Sequence, residues 1–98
     1  MMDKEIMHGI AKTAMDGIKD AEMQYEYAEE AAERGNHEAA MLHIEEARKR
    51  LEGAKMWYDR GMKMYGDHID PLAETMMEHY RKWYRDVLDR VMTFKPKA

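Results

Sequence analysis

Small and larger apolar residues alternate along the first two-thirds of this chain in steps of four and three, and that spacing limits the fold more than any other feature. One seam runs Met7, Ala11, Ala14, Ile18, Ala21, Tyr25, Ala28 and Ala32; a second runs Ala40, Ile44, Ala47, Leu51, Ala54, Tyr58, Gly61 and Tyr65. A four-three repeat is a heptad seam, which lays one apolar stripe along a helix and favours the shallow crossing of an antiparallel bundle. Ala14, Ala21 and Ala28 would face Ala40, Ala47, Ala54 and Gly61. With so little bulk between them, the two helices are expected at the short end of the ~8–10 Å interaxial range. Ile18, Tyr25, Ile44, Leu51 and Tyr58 then close the sides.

Start and stop signals divide the chain into three helices. Asp3 is the expected cap of the first, which runs over about 3–34 and stops at Gly35. Asn36 caps a second over 36–65, closed by Gly66. Asp70-Pro71 places a capping carboxylate before a proline at the first helical position, opening a third helix over 71–93. The short "RGNH" turn makes the first two helices antiparallel neighbours. Strand alternation is absent, so the reading is an all-α, up-down-up three-helix bundle forming one domain over 1–98.

The third helix differs from the other two. Its apolar residues come as doublets, Leu72-Ala73, Met76-Met77, Trp83-Tyr84, Val87-Leu88 and Val91-Met92, with Tyr80 between. Neighbours in a helix point about 100° apart, so repeated doublets make a broad apolar arc. A three-helix monomer needs only one stripe per helix. The surplus implies that this helix also meets a second subunit.

Composition excludes several classes. There is no cysteine, hence no disulfide framework and no thiolate metal site. A net charge of −4 argues against general affinity for phosphate backbones. No stretch approaches 18 apolar residues, so membrane insertion is not expected. The "MMDKEIMHGI" start lacks the pattern of a signal peptide, and a cytoplasmic location follows as the expectation. Twelve methionines against four leucines point to plastic packing, since Met fills irregular gaps.

Candidate chemistry is sparse. Glu5-x-x-His8 matches one element of a di-iron bundle, a site that needs two such elements and two further glutamates. His43 and Glu46 are three apart but lie beside the seam. "HYRKWYRD" mixes cations with aromatics, as a single-strand nucleic-acid surface would. Its aromatics belong to the apolar arc, however. Glu78 with Lys82, Asp86 with Arg90 and Arg85 with Asp89 are spaced as helical ion pairs of a solvated face, so nucleic acid is not expected as a partner.

The segment "DAEMQYEYAEEAAERGNHEAAMLHIEEARKRLEGA", with Ala28, Ala31, Ala32, Gly35, Ala40, Glu46, Ala47 and Ala54 at fixed spacing, resembles the lactose/cellobiose-type IIA components of the bacterial phosphoenolpyruvate-dependent sugar phosphotransferase system. The resemblance implies a three-helix cytoplasmic subunit that forms homotrimers. Such a subunit takes a phosphoryl group on a histidine of its third helix and passes it to a sugar-specific IIB partner. By that frame Ala54-Lys55 stands at the family's Ala-His pair, and His79 stands near the phosphoryl-accepting histidine. After His79 this chain reads Tyr80, Arg81, Lys82 and Trp83, where the family has Ala, Gln, Asp and His. The Asp tied to the family's metal-binding trimer centre is thus replaced by Lys82.

The expectation is a non-enzymatic, self-associating bundle, IIA-like in fold, without a cofactor and with a binding or assembly role. Its partners would be further copies of itself, as a dimer or trimer, or another protein. The expected surface comprises Trp57, Met64, Met76, Met77, Tyr80, Trp83 and Tyr84. The alternative is a phosphocarrier using His79, with Arg81 and Lys82 holding the phosphoryl oxygens. A metal-binding bundle using Glu5 and His8 stands third.

Overall fold

The computed structural model describes residues 2–96, with the side chains of residues 2–4, 65 and 68 outside the description. Helix α1 spans Met2–Glu33 and α2 spans His37–Tyr65. A single 3₁₀ turn, Gly66–His68, leads to α3 over Pro71–Met92. The three pack as an all-α, up-down-up bundle, with α3 parallel to α1.

The turns follow from local chemistry. Gly35 takes φ +77°, a left-handed conformation that a side chain would strain. There the Asn36 N–H reaches the Ala31 carbonyl at 2.9 Å and the Gly35 N–H the Ala32 carbonyl at 3.0 Å, which satisfies the last turn of α1. Asn36 then opens α2 by accepting the Ala39 N–H at 3.1 Å. Asp70 does the same for α3 from the Ala73 N–H at 2.8 Å, ahead of Pro71 at the first turn. Two boundaries differ from expectation. Helix α1 already includes Met2, so Asp3 lies inside the helix; its side chain falls outside the described residues, as does that of Tyr65. Gly66 has right-handed φ −59° and ψ −26°, so the chain tightens into the 3₁₀ turn instead of reversing there.

Both seams are inside. Met7, Ala11, Ala14, Ile18, Ala21 and Ala28 are fully buried on α1, and Ala40, Ile44, Ala47, Leu51 and Ala54 are buried on α2. Tyr25 and Tyr58 are half-buried and pack against this core. Two glycines let the helix backbones meet. A Cβ at Gly17 would stand 3.1 Å from the Ala54 Cβ, and one at Gly61 would stand 2.6 Å from Ile10 Cγ2. Both positions are filled by the neighbour's side chain.

Helix α3 completes the core with Ala73, Met77, Tyr80, Val87 and Val91. Two polar struts tie it to α1. At one end His8 Nε2 and Asp70 Oδ1 are 2.9 Å apart. At the other, the Arg90 guanidinium donates to Glu22 at 2.7 Å and lies 5.7 Å from the centre of the Tyr25 ring. Helix α3 therefore leans on α1 and touches α2 far less. The result is a rod of 53 × 16 × 15 Å with a radius of gyration of 15.5 Å. A compact domain of this length would have a radius near ~13 Å. Among the described residues more than half of the buried apolar ones are alanines, so the core is thin for the chain length.

The glycines give opposite expectations for one substitution. At Gly53 an added Cβ meets nothing within 4 Å, so Gly53→Ala should gain about 1 kcal/mol from helix propensity. Gly61→Ala gains the same propensity but overpacks against Ile10, a penalty of roughly 1–3 kcal/mol, for a net loss of about 1 kcal/mol. Urea unfolding followed by circular dichroism should order the variants Gly53→Ala, wild type, Gly61→Ala. Adding Ile10→Ala should remove the Gly61→Ala penalty.

Candidate functional site

Because α3 is drawn toward α1, the α2–α3 seam is held open by large side chains. Tyr58 of α2 and Tyr80 of α3 stack nearly parallel, centroids 4.2 Å apart, and Tyr84 continues the stack 5.6 Å from Tyr80. Tyr80 and Tyr84 are four residues apart on α3, so they occupy successive turns of one face. The floor continues through Leu88. Cations border it. The Arg81 guanidinium donates to the Tyr58 hydroxyl at 2.8 Å, Lys55 donates to Asp59 at 2.7 Å, and Arg85 lines the same depression.

Electrostatics keep this floor neutral. Burial, reinforced by the neighbouring Tyr84 and Asp59, pushes the Tyr80 phenol well above its ordinary value. Burial also raises Tyr84, against the opposing pull of Lys55. Lys55 is held up by its hydrogen bond to Asp59. Through neutral pH the groove is an uncharged aromatic surface with charged edges.

The residues expected as one surface do not lie together. Met77 and Tyr80 are 2% and 3% exposed and belong to the core, because they carry the stripe of α3 that faces α1 and α2. This corrects their assignment to an exposed binding surface. Trp57 lies on the opposite face of the α1–α2 pair, in a shallow groove with Thr13, Gly17 and Gly53. Met64 is an exposed residue of α2. Tyr84 flanks the α3 stripe on the α2 side, whereas the helical phase of Met76 and Trp83 puts them on the other flank.

His79 is exposed and makes no hydrogen bond, and its ring lies tilted against Trp83 at 5.6 Å. Lys82 lines the same depression, together with Thr75 and Glu78, and pairs with Glu78 at 3.3 Å. Arg81 does not join it, because Arg81 turns to Tyr58 on the α2 side. The two expected phosphoryl-oxygen donors are thus separated by the helix. His8 is engaged by the cap of α3. His43 Nδ1 lies 2.8 Å from the Gln24 side-chain oxygen, with its ring against Tyr27. Among the described residues no three His, Asp or Glu side chains converge on a common point. Of the expected helical pairs, Glu78–Lys82 and Asp86–Arg90 form. Arg85 does not pair with Asp89 and stays over the groove.

Sequence reasoning missed the groove itself. Lys55 with Asp59, and Tyr80 with Tyr84, are visible as i,i+4 pairs, but their meeting across two helices is not a local property. Comparison with family models, curated proteins and solved structures gives no match, so the site is read from its own geometry. No helix is long and apolar enough to cross a membrane among the described residues.

Burial makes the tyrosines alkaline sensors. Tyr80 has its folded-state value raised, so its stabilising contribution is complete below the unfolded value of about 10 and is lost as pH rises beyond that. Tyr80→Phe should unfold at the wild-type urea midpoint at pH 7. It should also lose less stability than wild type between about pH 10 and pH 12. Parallel loss in both proteins would remove Tyr80 from the transition.

Proposed function

We propose that this chain is a non-enzymatic helical bundle that self-associates through α3 and serves a binding or assembly role. The observation that carries this reading is the apolar surface left along α3 after its core stripe is used. Leu72 and Met92 are 56% and 57% exposed, and Met76, Trp83, Tyr84 and Leu88 are only half-buried. A thin, alanine-rich core in an elongated rod supports the same reading, because association would bury surface that the monomer cannot. On this reading the bundle would be IIA-like in fold and cytoplasmic.

The phosphocarrier reading is favoured by one observation, the exposed His79 ring with Lys82 in the same depression. Against it stands the absence of converging donors, since a transferred phosphoryl group needs several positioned groups around its oxygens.

Sedimentation velocity across a dilution series should give a reversible oligomer whose mass is unchanged by His79→Ala. A monomer at all concentrations would defeat self-association. Incubation with phosphoenolpyruvate, enzyme I and the histidine phosphocarrier protein, followed by intact mass at alkaline pH, should give no adduct. An adduct lost in His79→Ala would establish the phosphocarrier instead.

A further inference from the structure

The open α2–α3 groove has a complement on the same chain, on the far side of the bundle. The depression over Tyr80 and Tyr84 shares Tyr84 and Leu88 with a second one that reaches Met92, so the two form one groove with open volumes of about 290 and 470 Å³. A brace closes each end: Arg81 to Tyr58, and Arg48 to the Met92 sulfur at 3.3 Å. From Tyr80 to Met92 the floor is ~18 Å long, or about three helical turns. Its rim carries five cations, Arg48, Lys49, Lys55, Arg81 and Arg85, against three carboxylates, Glu45, Glu52 and Asp59; no ion pair engages Lys49, which also borders the Trp57 groove, or Arg85 among the described residues.

The outer face of α1 has the opposite character. From Asp20 to Glu33 the chain carries six acidic residues and no basic one. Met23 is 41% exposed, and Tyr27, one turn on and also 41% exposed, leans toward α2 with its ring 5.6 Å from that of His43. Glu26 and Glu30 are exposed beside them. An apolar pair flanked by carboxylates is a profile that an aromatic floor with an excess of cations along its edges accepts, the apolar contact supplying affinity and the charges fixing register.

We infer that the α2–α3 groove receives the acidic outer face of α1, at Met23, Glu26, Tyr27 and Glu30, from a second copy of this chain, with Lys49 and Arg85 meeting the carboxylates. This rests on the self-association proposed above and names the surfaces that carry it. In a three-helix bundle the outer face of α1 points away from the α2–α3 seam. Groove and ligand face therefore lie on opposite sides of one molecule, and a single contact leaves a free groove on one copy and a free α1 face on the other. Such a head-to-tail contact builds a ring or an open chain rather than a two-fold dimer.

Two double variants test this, Lys49→Glu with Arg85→Glu in the groove, and Glu26→Lys with Glu30→Lys on α1. All four positions are exposed, so wild-type helicity by circular dichroism is expected. Wild type should form species larger than a dimer. Each double variant alone should weaken association on the order of a hundredfold, because like charges would face each other. An equimolar mixture should recover growth beyond a dimer, since the wild-type α1 face of one variant meets the wild-type groove of the other, and the reversed groove meets the reversed α1 face. A wild-type oligomer that both variants preserve would overturn the groove assignment while leaving self-association by another surface intact. A mixture that stays monomeric would also overturn the assignment. A wild type monomeric throughout would overturn both the assignment and the self-association on which it rests.

Discussion

The close approach of α1 and α2 sets the terms for everything else in this molecule. Alanines along both seams, with Gly61 receiving Ile10 and Gly17 receiving Ala54, bring the two backbones together over most of their length. Tight contact of this kind gains dispersion energy from many atom pairs but removes little apolar area per residue from water. The bulk that a stable core needs has to come from elsewhere. It comes from α3, whose Met77, Tyr80, Val87 and Val91 are larger than the alanines they cover.

That division of labour shapes the surface. Small residues draw α1 and α2 together, whereas Tyr58, Tyr80 and Tyr84 keep α2 and α3 apart. Two polar struts, His8 with Asp70 and Arg90 with Glu22, then decide which neighbour α3 favours. Both join residues more than sixty positions apart, and both tie α3 to α1. The groove is therefore a consequence of packing arithmetic: one seam is filled with alanine, another with tyrosine, and the two polar struts pull toward the third. Arg90 carries an energetic cost in this arrangement, since its buried Nε has no partner. Its Nη2 donates to both Glu22 and Asp86, and the guanidinium lies 5.7 Å from the centre of the Tyr25 ring.

Much of the fold was legible before any coordinates. The Gly35-Asn36 turn, the Asp70-Pro71 start and the two seams are local or periodic signals, and each is expressed in backbone hydrogen bonds or burial. Gly66 departs from the expected stop because glycine permits a left-handed conformation without requiring one, and here the chain enters a 3₁₀ turn instead. The candidate surface was less legible. Doublets on α3 announced a broad apolar arc, but nothing local says which member of each doublet faces the core. On that pattern alone Met77 and Tyr80 read as surface, although they supply the stripe that the alanine seams cannot. Arg81 was placed beside His79 by sequence proximity, yet two positions along a helix turn a side chain by about 200°, which carries it to the other flank.

By itself the sequence determined the number of helices, their ends to within a residue or two, and the tight pairing of the first two. Capping, left-handed turns and stripes of small residues act over a few residues and need no partner to be recognised. Only the tertiary structure decided where α3 sits, and with it the open groove, the occupied state of His8, and the isolation of His79 from Arg81. Those outcomes depend on residues far apart in the chain, whose contacts exist only once three helices have been brought together.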